Sequence, residues 1–136
     1  MRNFVTLDTV SIDAATGILQ LTTRIESTAA PSIAMRREGE YIAIAASYGP
    51  LEIALRPHYD ALRRALTRLK PIGGLQSTRQ IGTGQTYLSV GLQPDNVLLL
   101  RPTIVGDAAG HIVFNLAVTA EARAALFDWL GVPAVE

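Results

Sequence analysis

Hydrophobic and polar positions alternate with period two along much of the chain, and at two places the apolar spacing changes to three and four. Phe4, Val5, Leu7 and Val10 mark a first strand. After Gly17, the run Ile18 to Ile25 sets Leu19, Leu21, Thr23 and Ile25 on one face and Gln20, Thr22 and Arg24 on the other, as a half-buried strand requires. Ser27 to Glu40 contains Pro31 and the pair Arg36-Arg37 but no sustained apolar period, and reads as a long loop or a poorly formed edge. Tyr41 to Ser47 is a third strand with Ile42, Ile44 and Ala46 inward. Gly49-Pro50 then turns the chain into a fourth, where Leu51, Ile53 and Leu55 alternate with Glu52 and Ala54. From Pro57, which suits the first turn of a helix because it has no N–H to leave unpaired, Tyr59, Leu62, Leu66 and Leu69 form an apolar stripe. Pro71 and Gly73-Gly74 end that helix.

The second half repeats the scheme. Gln76 to Ile81 and Gln85 to Leu92 flank the hairpin signal Gly82-Thr83-Gly84, Val97 to Val105 is an apolar strand containing Pro102, and His111 to Val118 is the eighth strand with Ile112, Phe114 and Leu116 inward. Thr119 is placed to cap a last helix, Glu121 favours its positive end, and Ala122, Ala125, Leu126, Trp129 and Leu130 build its stripe. A shift of 61 positions superposes Gly49 on Gly110, Ile53 on Phe114, Leu55 on Leu116 and Leu69 on Leu130. The expectation is an α+β fold in a single domain of residues 1–136, duplicated as about 1–70 and 75–131. Its two antiparallel β-sheets are each closed by a helix, in the order ββββα-ββββα.

Composition narrows the classes. At 136 residues, 49% hydrophobic and 18% charged, the chain supports its own core and has apolar surface to share with copies of itself. With no cysteine there is no disulfide framework and no thiolate for metal or catalysis. The start Met1-Arg2-Asn3-Phe4 lacks a signal-peptide pattern and no stretch has the length of a membrane span, so a cytoplasmic protein with no membrane partner is expected. Twelve basic and twelve acidic residues cancel. They are unevenly spread, however: residues 56–101 hold seven basic and two acidic groups, a net of +5, against −2 before and −3 after.

Catalytic chemistry has no signature. His58 and His111 lack a metal-ligand spacing, Gly82-Thr83-Gly84 precedes a strand rather than a helix, and Ser11, Ser47 and Ser89 have no histidine partner at a recognisable spacing. The expectation is no enzyme, no cofactor and no metal.

Four strands and a helix, taken twice, resemble the Whirly and Pur-alpha class of single-stranded nucleic-acid-binding proteins. The closing pieces His111-Ile112-Val113-Phe114-Asn115-Leu116 and Thr119-Ala120-Glu121-Ala122 look like the ends of those domains. The resemblance implies binding of single-stranded DNA or RNA, with little sequence preference, along outer sheet faces of a homo-oligomer. Such a site needs cations for phosphates and flat side chains for bases. Arg24, Tyr41, Arg79, Tyr87 and Arg101 fall on the outward phase of their strands, and Arg36-Arg37 is the nearest basic run. Arg56, Arg63, Arg64, Arg68 and Lys70 along the first helix form a rival set. A noncatalytic protein-assembly module is the alternative reading, favoured by neutral net charge and an aromatic content of only 6%. A small-molecule pocket between sheet and helix is a third.

Overall fold

In the computed structural model, residues 4–24, 30–76, 81–83, 85–106 and 110–133 are described. Strands β1 (Val5–Leu7), β2 (Thr9–Ile12), β3 (Leu19–Thr22), β4 (Pro31–Glu38), β5 (Tyr41–Tyr48) and β6 (Leu51–Leu55) precede helix α1 (Tyr59–Thr67). Strands β7 (Ile81–Gly82), β8 (Thr86–Leu92), β9 (Leu98–Val105), β10 (His111–Val113) and β11 (Leu116–Val118) precede α2 (Ala120–Leu130). The first sheet has the order β2-β3-β4-β5-β6. The second has β1-β11-β9-β8-β7, with β10 also paired to β9.

The local reading holds where the hydrophobic contrast is strong. Leu19 and Leu21 of β3, Ile42, Ile44 and Ala46 of β5, and Ile53 and Leu55 of β6 are all buried, as are Leu62, Leu66 and Leu69 on the α1 stripe. Each such leucine or isoleucine contributes about 1.5–3 kcal/mol by leaving water. Thr119 caps α2 through its hydroxyl, which accepts from the Ala122 N–H, and Gly131 closes the helix in the left-handed conformation.

Ser27 to Glu40 is not a loop over most of its length. Its residues 31–38 are β4, an eight-residue interior strand paired with both β3 and β5. Pro31, Ile33 and Met35 point inward and alternate with Ser32, Ala34 and Arg36. The small outward side chains blur the contrast on which a period-two reading depends. Arg36 and Arg37 therefore stand on a strand.

The expected ββββα-ββββα plan, with two antiparallel sheets each closed by its own helix, is not what forms. The N-terminal segment breaks at Asp8: β2 joins the first sheet, whereas β1 crosses to the second and runs parallel to β11, with Val5 opposite Leu116 and Leu7 opposite Val118. The helices do not each close the sheet of their own half either. Helix α2 packs on β2 of the first sheet, and α1 lies between β5 of the first and β7 of the second. A single apolar cluster, running from Leu7 through Ile44 and Leu88 to Leu130, joins both sheets and both helices.

The eighth strand is also interrupted. β10 and β11 keep one register on β9, but Phe114 and Asn115 between them fall opposite Pro102 and Arg101. Pro102 has no N–H to offer across the ladder, so only the Phe114 N–H to Pro102 carbonyl bond forms, at 3.1 Å. Ile112, expected inward, is 45% exposed. Among the described residues no helix is long and apolar enough to cross a membrane.

Candidate nucleic-acid interface

The β4–β5 hairpin turns at Gly39, which takes a left-handed φ of 63°. Beside that turn the β5–β6 ladder continues beyond β6: the Ile42 N–H donates to the Pro57 carbonyl at 2.9 Å and the Tyr59 N–H to the Glu40 carbonyl at 2.8 Å. This delivers the first residue of α1 beside the hairpin. Tyr59 is anchored there by its hydroxyl, which donates to the Leu130 carbonyl at the end of α2.

Arginines from two distant segments meet on that ring. The Arg37 guanidinium carbon lies 3.5 Å from the Tyr59 ring centroid. Arg63, one turn along α1, lies 5.9 Å from the same centroid. Arg63 Nε is shielded from solvent and has no hydrogen-bond partner among the described residues. Arg36, Arg37 and Tyr59 line a concavity of about 230 Å3 with Thr16, Gly17, Trp129 and Leu130. Farther along α1, Arg63, Arg64 and Arg68 line a cleft of about 380 Å3 with Asp60, Thr67 and Pro133.

On the outer side of the same corner, Glu38 accepts from both Arg36 and Arg56, the latter at 3.0 Å. Hydrogen bonding from Arg36 holds the Glu38 carboxyl below its ordinary value against a smaller opposing effect of desolvation, and the charges of Arg36 and Arg56 add to the lowering. Tyr41 sits between His58, whose ring centroid is 4.5 Å away, and the Arg56 guanidinium at 4.6 Å. Around the corner, the guanidiniums of Arg36, Arg37, Arg56, Arg63, Arg64 and Arg68 outnumber the carboxylates of Glu38, Glu40 and Asp60 by six to three. The chain as a whole is neutral.

Of the six described residues among the seven expected to bind nucleic acid, three, Arg36, Arg37 and Tyr41, come together here. Arg24 stands at another edge of the first sheet, where its Nε lies 3.3 Å from Asp8 Oδ2. Desolvation raises the Asp8 pKa, but hydrogen bonds from the Thr9 hydroxyl and from the backbone and side chain of Arg24 outweigh it and leave Asp8 below its ordinary value. Tyr87 and Arg101 lie on the outer face of the second sheet with Ser89 and His111, and Arg101 Nε donates to Asn115 Oδ1 at 2.7 Å. Arg79 lies outside the described residues.

Tyr59 escaped sequence reasoning because its place in the leucine stripe of α1 assigned it to the core. The Tyr59/Arg63 pair at a spacing of four was legible, but the approach of Arg37 from β4 to the same ring was not. Among the described residues there is no group of three or more His, Cys, Asp or Glu side chains able to hold a metal ion. No protein-family model, curated protein sequence or solved structure matches this chain.

Proposed function

We propose that the domain binds single-stranded nucleic acid at the arginine-rich corner of β4, β5 and α1, with little sequence preference. The observation that carries this reading is the convergence of Arg37 and Arg63 on Tyr59, with Arg64 and Arg68 extending the cationic strip along α1. A local excess of guanidinium on a neutral protein attracts phosphates without repelling the rest of the strand. An arginine plane already stacked on a tyrosine is a platform on which an unpaired base can stack, as single strands permit and duplexes do not. The interface so proposed lies at a sheet end and a helix flank, not along open sheet faces.

The test is fluorescence anisotropy of labelled oligo-dT and oligo-rU, with matched duplexes, across a salt series. Single strands are expected to bind more tightly than duplexes, and Arg37→Ala or Arg63→Ala to weaken binding by about tenfold, the scale of one lost stacking contact. Arg64→Ala with Arg68→Ala is expected to lower the slope of log affinity against log salt by about 1.4, since each single-strand phosphate contact contributes about 0.7. Arg24→Ala is expected to leave binding unchanged. No binding at micromolar protein in low salt overturns the reading.

The assembly-module reading is favoured by a different observation. On the outer face of the first sheet, Ala34, Ala45 and Ala54 stand in one cross-strand row and form the small-residue floor of a concavity of about 430 Å3.

A further inference from the structure

From the open border of the first sheet we infer that β6 pairs with β6 of a second copy of this chain, antiparallel about a two-fold axis at Ala54. β6 ends the order β2-β3-β4-β5-β6, so among the described residues one of its sides has no strand. The hydrogen-bonding phase shows which groups that side presents. Ile42 bonds Pro57, so in the same register the pairs Ile44/Leu55 and Ala46/Ile53 are the ones that exchange hydrogen bonds across β5 and β6. Glu52, Ala54 and Arg56 must therefore aim their N–H and C=O groups away from β5. All three residues are exposed, and among the described residues no backbone bond reaches these groups.

An unpaired border of this kind is a template for another strand unless proline, a bulge or charge blunts it. Residues 51–56 contain no proline, and the charges here complement each other. With Ala54 opposite Ala54 of the partner copy, each Glu52 faces an Arg56 across the axis on the outer face, and each Ile53 stands beside a Leu55 on the inner face. The pairs formed by residues 52, 54 and 56 are all in the phase that exchanges both hydrogen bonds. Moving the axis to Glu52 would oppose two carboxylates, and moving it to Arg56 would oppose two guanidiniums, so the order Glu-Ala-Arg selects one register. Arg56 is already held in place by Glu38 and Tyr41, and since Glu38 is shared with Arg36, positive charge is left over for the carboxylate opposite. Glu52 has no ion pair among the described residues. Leu51, 51% exposed at the start of β6, gains a neighbour at Pro57 across the axis. The contact is isologous, as closed dimers require, and converts two five-stranded sheets into one continuous sheet.

This inference names the partner for the assembly reading and stands apart from the nucleic-acid one. The test is sedimentation equilibrium of the full chain over a concentration series. The wild-type chain is expected to dimerise. Ala54→Pro, which removes an outward N–H while leaving the β5 ladder intact, is expected to be a folded monomer by circular dichroism. Glu52→Arg and Arg56→Glu are each expected to raise the dimer dissociation constant by at least about tenfold through like-charge opposition. Mixed in equal amounts, these two variants are expected to dimerise with each other, because every 52/56 pair then joins opposite charges. A dimer indifferent to Ala54→Pro and to both reversals overturns the β6 inference while leaving an assembly role to another surface. A chain monomeric at all concentrations overturns both.

Discussion

Tyr59 shows how one residue comes to serve two purposes. Its hydroxyl ties the start of α1 to the end of α2, and its ring supports guanidiniums from β4 and α1. Glu38 plays a comparable part on the outer side, where one carboxylate orders two arginines. Its pKa is held below the ordinary 4.5, so its stabilising contribution is fully present above that value and is lost as pH falls through the lower folded value. Denaturant unfolding should accordingly give a stability gap between wild type and Glu38→Gln that is constant above about pH 5 and closes as the pH drops below the unfolded-state value. A gap that persists undiminished in acid would mean that Glu38 acts through packing and not charge. Asp8, lowered by Thr9 and Arg24, is subject to the same sign and adds to the acid-side loss.

At the scale of elements, strands and helices with strong contrast were legible and those with weak contrast were not. Ile42, Ile44 and Ala46 announced β5. In β4 the outward Ser32 and Ala34 are too small to register as a polar face, and the Arg pair suggested a loop. β8 carries a constraint of another kind. A Cβ added at Gly91 would come within 2.0 Å of the Gly74 carbonyl oxygen, because residues 73–76 cross β8 closely: the Gly73 N–H bonds Leu92 and the Gln76 N–H bonds Val90. Gly91→Ala should therefore destabilise by about 1–3 kcal/mol, the usual cost of forcing atoms into a filled site, read as a lower denaturation midpoint. An unchanged midpoint would show that the 73–76 segment moves aside freely.

For the whole molecule, the decisive feature is the exchange of β1 between halves. Leu7 is fully buried, and its carbonyl accepts from the Thr119 N–H at 3.1 Å, so the second sheet and the start of α2 both depend on β1. Leu7→Ala should cost about 2–5 kcal/mol as a cavity in the shared core. Residues 1–70 expressed alone should fail to fold cooperatively, since β1 then lacks β11. A cooperative thermal transition in that fragment would show that the first half folds without β11.

The sequence by itself determined the elements whose reasons are local: the α1 stripe, the Thr119 cap and Gly131 stop of α2, the alternation of β3, β5 and β6, and the concentration of arginine in the middle of the chain. Tertiary structure alone decided that β1 leaves its own half, that Pro102 divides β10 from β11, that α2 lies on β2, and that Arg37 meets Arg63 on one ring. The physical reason is that periodicity records which side of an element is buried, whereas strand partners and convergent side chains depend on how distant surfaces fit together. No single segment carries that information.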